Sequence, residues 1–286
     1  MDCSDLRGRT VAVTGAGSGI GRETALAFAR RGADLELCDL DAAGVAETRS
    51  RIEALGRGAA RGAVVDVADA ARVEAWAAEV HARVPAVDIL VNNAGVAIGG
   101  GFLATSLDDW EWILGVNTRG VVHGCHFFVP AMVARGAGGH VVNVASLAGV
   151  LATEDLAAYC TTKFSVVGLS EALRDELHRH GIGVSCICPG IVDTPITRSA
   201  KLVGTLAGEG RREEMIRSYQ RRGYGPERVA AQLVRAVERN RGLAPVTPEA
   251  WLMYYVKRLS PAFTAWLARR VGEAGRRRLD AEAGER

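Results

Sequence analysis

A tyrosine and a lysine stand four positions apart in the stretch Ala158-Tyr159-Cys160-Thr161-Thr162-Lys163. In a helix this spacing brings the two side chains to one face, one turn apart. A free tyrosine has a pKa of about 10, which is too high for a base at neutral pH. A neighbouring ammonium group stabilises the phenolate and lowers that pKa. Because Lys163 is the only lysine in the first 200 residues of an arginine-rich chain, a chance pair is a poor explanation, and we predict proton transfer by Tyr159.

Two further polar residues could complete such a reaction centre. Ser146 follows a predicted strand, His140–Val144, where its hydroxyl can hydrogen-bond a carbonyl or an alcohol. Alone it would be an ordinary loop serine, and its interest comes from standing thirteen residues before Tyr159. Asn117 lies within a predicted helix, where asparagine is unfavourable unless something uses its amide. An exposed asparagine is the alternative interpretation.

A glycine-rich string, Thr14-Gly15-Ala16-Gly17-Ser18-Gly19-Ile20-Gly21, ends the first predicted strand and opens the first predicted helix. Glycines let the backbone turn sharply and approach a pyrophosphate, which then meets the N–H groups and positive dipole end of the helix. A glycine-rich string alone is weak evidence, but its strand-to-helix position makes it much stronger. We therefore predict a dinucleotide cofactor held by Gly15, Ser18, Gly19, Ile20 and Gly21.

Asp39 closes the second predicted strand, where a carboxylate can accept both hydroxyls of an adenosine ribose. A 2′-phosphate there would place like charges about 4 Å apart, which costs roughly 4 kcal/mol at an effective dielectric near 20. Neither Leu40 nor Ser18 offers a cation to such a phosphate, and Arg22 belongs to the following helix. NAD is therefore predicted over NADP. A turn or cap aspartate is the alternative interpretation of Asp39.

Short apolar runs alternate with helical patterns along the chain, which predicts a doubly wound parallel sheet of Rossmann type with helices on both faces. In such an α/β fold, ligands bind beyond the carboxyl ends of the strands. The glycine string, Asp39 and Ser146 all fall at those ends. Strands are predicted at Thr10–Thr14, Asp34–Asp39, Gly62–Val65, Ile89–Asn92, His140–Val144 and Val184–Cys188, and helices at Gly19–Arg31, Ala42–Leu55, Ala70–Arg83, Val116–Ala134 and Ala157–His180.

The pattern changes after Pro189. Residues 193–225 are predicted to be irregular and polar, as in a mobile lid, and a helix near Pro226–Asn240 and an extended piece at Leu243–Val246 follow. Thr247-Pro248-Glu249 and Ser260-Pro261 are typical helix starts, with a cap residue before a proline. We therefore expect a dinucleotide-binding and catalytic region over residues 1–246 and a helical extension of the same domain over 247–286.

The composition of the chain restricts its possible partners and its cellular location. The chain has 286 residues, 48% of them hydrophobic, and a net charge of +2, so no global field draws it to nucleic acid. The acidic start, Met1–Asp5, lacks the layout of a signal peptide, and no apolar run reaches membrane-spanning length. Six scattered cysteines without a CxxC pair favour a reducing cytoplasm without disulfides. His123 and His126 could be considered as metal ligands, but packing between subunits is favoured and no metal is predicted.

Taken in order, these residues resemble the short-chain dehydrogenase/reductase family, over about residues 8–245. The resemblance comes from several motifs in the same order along the chain, and it is therefore very specific. The matches are TGAGSGIG at 14–21, Asp66-Val67, NNAG at 92–95, Asn117, Ser146, the YxxxK motif at 159–163 and PGIVDT at 189–194.

The resemblance implies a role for each matched residue. Tyr159 would be the acid/base, Lys163 would lower its pKa and bind the nicotinamide ribose, Ser146 would orient the reacting oxygen, and Asn117 would hold a water of the proton relay. The reaction would be reversible hydride transfer between an alcohol carbon and the nicotinamide, in a homodimer or homotetramer. The other residues implied at the cofactor are Asp66 and Val67 beside the adenine, Asn92, Asn93, Ala94 and Gly95 on the floor, and Pro189, Gly190, Val192 and Thr194 around the nicotinamide.

The substrate wall is expected from residues 96–101, 147–154, 191–192 and the 193–225 segment, which we judge to be mostly apolar near the reaction centre. This favours a lipophilic secondary alcohol or ketone, such as a sterol-like, terpenoid or long-chain compound. An NADP-preferring ketoreductase and a non-catalytic dinucleotide-binding regulator are the alternatives, although such a regulator would be expected to lack Tyr159, Lys163 or Ser146. The basic and aromatic tail could contact a membrane surface, but packing on the body or on a partner subunit is favoured.

Overall fold

The computed structural model describes Cys3, residues 5–267, Arg269, Arg270 and Glu273. The rest of the predicted extension to residue 286 lies outside the described residues. The strands are β1 (Thr10–Thr14), β2 (Asp34–Asp39), β3 (Ala60–Val64), β4 (Ile89–Asn92), β5 (Ile98–Gly99), β6 (Gly139–Val144), β7 (Ile182–Cys188), β8 (Lys201–Leu202) and β9 (Leu243–Pro245). The helices are α1 (Gly19–Ala29), α2 (Ala42–Glu53), α3 (Ala70–His81), α4 (Leu107–Leu114), α5 (Gly120–Arg135), α6 (Ala157–His178), α7 (Ile196–Ser199), α8 (Glu209–Arg222), α9 (Pro226–Glu238) and α10 (Pro248–Leu259).

Seven parallel strands form the main sheet, in the order β3-β2-β1-β4-β6-β7-β9. The chain builds outward from β1 to β3, then returns to place β4 on the other side of β1. This reversal opens a crevice at the carboxyl ends of β1 and β4, where open α/β sheets bind ligands. A separate parallel pair, β5 and β8, lies outside the main sheet. The predicted doubly wound α/β fold is confirmed.

Apolar side chains on both faces of the sheet explain why these short runs form strands. Every residue of β1 is buried, as expected for a central parallel strand. One core cluster contains Phe28 of α1 and Leu233 of α9, and the other contains Trp76 of α3 and Phe128 of α5. Trp76 and Phe128 make an edge-to-face contact with ring centres 5.0 Å apart. The two covered faces hold the carboxyl ends of the strands in fixed positions.

The predicted elements match the observed ones closely, with differences at their ends. The strands β1, β2 and β4 have the predicted bounds, and α1, α2, α3 and α6 end two residues before the predicted ends. The helix predicted from Val116 begins as a π-helical segment, residues 115–119, before α5. Helix α4 was not predicted, although Ser106 and Asp109 form a capping box at its start.

The prediction that residues 193–225 are irregular is wrong for 209–222, which form helix α8. The segment is rich in arginine and glutamate, and only a narrow stripe of its side chains, including Met215 and Tyr219, is partly covered. That stripe is too thin to produce a strong apolar pattern. Gly223 ends the helix in the left-handed conformation, with a φ of 61°.

The two helix starts predicted in the tail are confirmed. Helix α10 begins at Pro248, and residues 261–267 are helical after Ser260, whose Oγ accepts a hydrogen bond from the N–H of Phe263 at 3.3 Å. Within the described part of the chain, no helix has the length and apolar character needed to cross a bilayer. All six cysteines are buried.

Candidate active site

A cavity of about 660 Å³ opens at the carboxyl ends of the strands. It contains most of the residues predicted at a cofactor, contributed by six separate segments of the chain. Of that set, Gly21 and Asn92 do not line it. The predicted residues on its wall are Gly15, Ser18, Gly19, Ile20, Asp39, Asp66, Val67, Asn93, Ala94, Gly95, Tyr159, Lys163, Pro189, Gly190, Val192 and Thr194, and Ser146 joins them.

The turn from β1 into α1 has the geometry that a pyrophosphate requires. Gly15 has a φ of 65°, and a Cβ there would lie 2.7 Å from the Cα of Ala94, so only glycine fits. A Cβ on Gly21 would collide with the carbonyl of Gly15, which explains why Gly21 supports the turn from behind the wall. Helix α1 has no side-chain cap and no acidic residue in its first turn. Its N–H groups are therefore available to a phosphate, and the residues present fit a dinucleotide.

The floor of the cavity is tied to this turn by Thr14. Its Oγ1 accepts hydrogen bonds from the N–H groups of Asn93 (3.0 Å) and Ala94 (3.1 Å). The Nδ2 of Asn93 donates to the carbonyls of Thr14 and Gly15, both at 3.1 Å. Asn92 instead donates to Asn143 Oδ1 in the core, at 2.9 Å. Asn92 therefore supports the floor from below, whereas Asn93 holds the end of β4 against the glycine turn.

Asp39 ends β2 at the edge of the cavity. Its Oδ2 accepts a hydrogen bond from the N–H of Gly17 at 2.8 Å and its Oδ1 accepts from the N–H of Asp41 at 3.0 Å. The carboxylate therefore has a fixed orientation beside the glycine turn. Arg22 does not line the cavity, because its guanidinium pairs with Glu47 at 2.8 Å and donates to Thr48 Oγ1 at 3.0 Å.

Tyr159 and Lys163 share the face of α6 that meets the cavity, as predicted. The Lys163 Nζ lies 5.7 Å from the centre of the Tyr159 ring and donates to the carbonyl of Val144 at 3.1 Å. Ser146 follows β6 and lines the same cavity, and its hydroxyl is near enough to Tyr159 to lower the pKa of the phenol. The Ser146 Oγ also accepts from the N–H of Ala148 at 3.1 Å. Three groups capable of proton transfer and hydrogen bonding thus converge on one wall.

Burial controls the ionisation of this pair in the protein alone. Burial raises the pKa of Tyr159 to about 12, and the Ser146 hydroxyl only partly opposes it. Burial also lowers the pKa of Lys163 to about 8. The expected lowering of the Tyr159 pKa by Lys163 is therefore not found, because desolvation of the phenolate is the largest influence and raises the pKa. Tyr159 is a neutral phenol at pH 7 in this state.

Asn117 lies in the π-helical segment and is fully buried. Its Oδ1 accepts from the N–H of Val96 at 2.8 Å, and its Nδ2 donates to the Val96 carbonyl at 2.9 Å and to Thr162 Oγ1 at 3.1 Å. The amide is thus in use, as the sequence argument required, and the alternative of an exposed asparagine is wrong. It does not line the cavity, and its role toward a relay water stays a prediction.

Two groups of wall residues were not named individually from the sequence, although the first lies in the 193–225 segment that was expected to form part of the substrate wall. Met215 and Tyr219 of α8 line the cavity, and charge on Tyr219 would raise the pKa of Tyr159 further, so the two phenols are near neighbours. Their spacing of four residues was a usable signal, but it stood in a segment interpreted as irregular. Trp112 of α4 also lines the cavity, from a helix that was not predicted.

The family model for short chain dehydrogenases matches residues 9–202. A crystal structure of a short-chain dehydrogenase/reductase from Burkholderia phymatum in complex with NAD aligns with a TM-score of 0.79 and 31% identity, over 90% of this chain and 95% of that chain. The chain therefore belongs to the short-chain dehydrogenase family, whose members are oxidoreductases that bind a nicotinamide dinucleotide.

Two relatives differ in how much of their own length this chain covers. It is 45% identical over 255 residues to the probable oxidoreductase EphD of Mycobacterium tuberculosis, covering 88% of this chain but only 43% of that protein. It is also 41% identical over 195 residues to a D-threitol dehydrogenase of Mycolicibacterium smegmatis, covering 68% of this chain and 74% of that one. The chain thus spans less than half the length of the first of these relatives.

The lowered pKa of Lys163 predicts a pH-dependent stability. Between about pH 8 and 10.5 the unfolded chain keeps the lysine proton and the folded chain loses it, so the free energy of unfolding rises with pH. We expect the wild type to gain on the order of 2 kcal/mol relative to Lys163→Met between pH 7.5 and 9.5. Denaturant unfolding measures the difference, and Lys201→Met is the matched loss of an exposed lysine. A constant difference across this range would contradict the buried ammonium.

Proposed function

We propose that this protein interconverts a secondary alcohol and a ketone with NAD(H), on a lipophilic substrate. The observation that carries the proposal is the position of Tyr159, Ser146 and Lys163 on the wall of the same cavity as the glycine turn and Asp39. A proton-transfer group and a dinucleotide cradle in one cavity are the two requirements of an alcohol dehydrogenase.

Each side chain has one part in this proposal. A bound nicotinamide would supply hydride acceptance and donation. In reduction the neutral Tyr159 phenol donates its proton to the carbonyl oxygen and becomes a phenolate, and in oxidation the phenolate takes the proton from the alcohol. Ser146, which lies near Tyr159 on the cavity wall, orients the reacting oxygen, and the Lys163 ammonium binds the nicotinamide ribose and stabilises the phenolate. Asn117 keeps the Val96 segment in place, and we assign to it the role of holding a water of the proton relay.

The surroundings of Asp39 support NAD over NADP. Its carboxylate is fixed by two backbone N–H groups, so it cannot turn away from a 2′-phosphate without losing both hydrogen bonds. Arg22 is engaged by Glu47 and Thr48 and offers no charge to the cavity. Leu40, the neighbouring wall residue, is apolar and 69% exposed. A ribose with two free hydroxyls fits this corner better than a phosphorylated one.

The wall supports a lipophilic substrate. Val96 and Ile98 pack in one apolar cluster with Tyr159, beside the reaction centre. The charged wall residues besides Lys163 are Asp39, Asp66, Glu111 and Arg119, and the last two pair with each other at 3.0 Å. No unpaired cation on the described wall is left for a phosphate or carboxylate of a substrate. Further apolar wall residues include Leu147, Leu151, Leu156, Ile191, Ile196, Leu202 and Met215.

We further propose a homo-oligomer in the cytoplasm. Trp112 of α4 and Val122 of α5 are partly exposed apolar residues on helices that the family uses between subunits. The ring Nδ1 of His123 on α5 hydrogen-bonds the carbonyl of Val67 at 2.8 Å. The exposed apolar residues of the tail, Leu252, Tyr255 and Leu259, are assigned to protein packing in preference to a membrane surface.

Tyr159→Phe tests the assigned chemistry. Loss of the hydroxyl removes the proton donor and leaves the apolar ring in place, so kcat should fall by about 10²–10⁴-fold. The affinity for NADH should change by less than about threefold, measured by fluorescence titration. A variant that turns over an active substrate at the wild-type rate would show that Tyr159 is not the acid/base.

Asp39→Ser tests the cofactor choice. The wild type should bind NADH at least about a hundredfold more tightly than NADPH, because like charges at this distance repel by up to a few kcal/mol. The serine variant should lose most of that difference, mainly through tighter NADPH binding. Equal affinities in the wild type would favour the NADP-preferring alternative. Tight NADH binding with no turnover of any alcohol tested would favour a regulator.

A series of 2-alkanols from 2-butanol to 2-decanol tests the substrate class. Each methylene placed on an apolar wall gains up to about 0.8 kcal/mol, so kcat/KM should rise by about two- to fourfold per carbon until the cavity is filled. Met215→Ser should flatten the rise for the longer alcohols. Threitol is the polar comparison, and a preference for it over every alkanol would overturn the lipophilic assignment.

A further inference from the structure

The first turn of α10 reaches the loop that follows β7. The Oε1 of Glu249 accepts a hydrogen bond from the N–H of Ile191 at 3.0 Å. A Cβ on Gly190 would collide with Glu249 Oε1 and with Thr247 Oγ1, so the tail and this loop are in close contact. On the side of the loop away from Glu249, Gly190 and Ile191 both line the cavity. The carboxylate therefore holds this wall from behind.

The same carboxylate also reaches the end of α8. Its Oε2 pairs with the guanidinium of Arg222, in the last turn of that helix. Tyr219 lies one turn before Arg222 and lines the cavity near Tyr159. Because helical residues three apart are neighbours, a restraint on Arg222 is also a restraint on Tyr219. One side chain of the tail thus touches two walls of the cavity.

Other contacts show that the end of α8 and the base of α10 meet at this point. The N–H of Asp193 donates to the carbonyl of Tyr224 at 3.0 Å, and the Tyr224 hydroxyl donates to the carbonyl of Val246 at 3.3 Å.

The Glu249 side chain is only 21% exposed. Burial, which raises the pKa of Glu249, is outweighed first by the Ile191 N–H, then by Thr247 and the N–H of Glu249 itself, and last by the Arg222 guanidinium, so the pKa is lowered and the carboxyl is ionised at neutral pH. Hydrogen bonds with one ionised partner are the stronger kind.

We propose that Glu249 is a positioning residue that couples helix α8 to the Gly190–Ile191 loop. It thereby fixes the position of the substrate wall relative to the nicotinamide end of the cavity. It acts through Ile191 and Arg222, and it touches neither substrate nor cofactor. The proposal gives the start of the tail a part in the reaction. It rests on the proposed function for its kinetic consequences, but its structural consequence can be measured without a substrate.

Three substitutions separate the two contacts. Glu249→Gln keeps an acceptor for the Ile191 N–H and removes the charge that pairs with Arg222. Arg222→Gln removes the same ion pair from the other side, and Glu249→Ala removes both contacts. Arg221→Gln is the matched control, because Arg221 is on the same helical turn and donates within its own helix to the Arg217 carbonyl.

Amide hydrogen exchange on the full chain without cofactor is the first measurement. In Glu249→Gln and in Arg222→Gln, exchange should accelerate by about tenfold or more in residues 209–222 and stay near wild type in residues 190–194. In Glu249→Ala both segments should accelerate, and in Arg221→Gln neither should. The Glu249→Gln/Arg222→Gln double variant should match the single variants, because both substitutions remove the same contact, the ion pair between Glu249 and Arg222. Unchanged exchange of residues 209–222 in Arg222→Gln would overturn the coupling, even if Glu249→Ala failed to fold.

Binding and kinetics on the same variants provide the second measurement. Glu249→Ala should weaken NADH binding by about three- to tenfold, whereas Glu249→Gln and Arg222→Gln should leave it unchanged and raise the KM for the alcohol with little change in kcat. Equal effects of Glu249→Gln and Glu249→Ala on NADH binding would contradict the division of the two contacts. If exchange changes as expected and no alcohol is oxidised, the coupling stands and the proposed function fails.

Discussion

The buried ammonium of Lys163 is the constraint on which the rest of the site depends. Its side chain is only 4% exposed, and its hydrogen bond within the described residues goes to the carbonyl of Val144, at the end of β6. Placing a cation there is costly unless its charge is used, and burial accordingly lowers its pKa to about 8. The hydrogen bond fixes α6 against β6, and it is α6 that presents Tyr159 to the cavity. The position of the phenol is therefore set by the lysine beneath it.

Close backbone approaches transmit this constraint to the neighbouring segments. A Cβ on Gly149 would lie 2.5 Å from the Lys163 carbonyl, so the turn after Ser146 packs directly on α6. A Cβ on Gly95 would lie 3.2 Å from Asn117 Oδ1 and 3.5 Å from Lys163 Nζ, which brings the end of β4 to the same point. Asn117 then ties Val96 to Thr162. The serine, the tyrosine and the cofactor floor thus share one rigid support.

The parts of this arrangement that depend on local patterns could be predicted from the sequence. The bounds of β1 and β2 follow from short buried runs, and the pairing of Tyr159 with Lys163 follows from helical spacing. The direction of the Tyr159 pKa could not be predicted, because desolvation depends on everything packed around the phenol. Helix α8 was missed because its covered stripe is narrow. The Glu249 contacts join residues 27 and 58 positions apart (249 less 222 and 249 less 191), and no spacing rule connects them.

The segments around Lys163 and helix α8 differ in how much sequence variation they tolerate. The turn at Gly149 packs on the backbone of Lys163 with no space for a Cβ, and Gly95 lies close to Asn117 Oδ1 and Lys163 Nζ, so the geometry of these segments tolerates little variation. Helix α8, in contrast, is polar over most of its surface, and Met215 and Tyr219 reach the cavity from it. Side chains there can vary without disturbing the lysine, the serine or the glycine turn. On the proposed function, the sheet and α6 would determine which bond is made or broken, and α8 and the loop beside Glu249 would determine the choice of substrate.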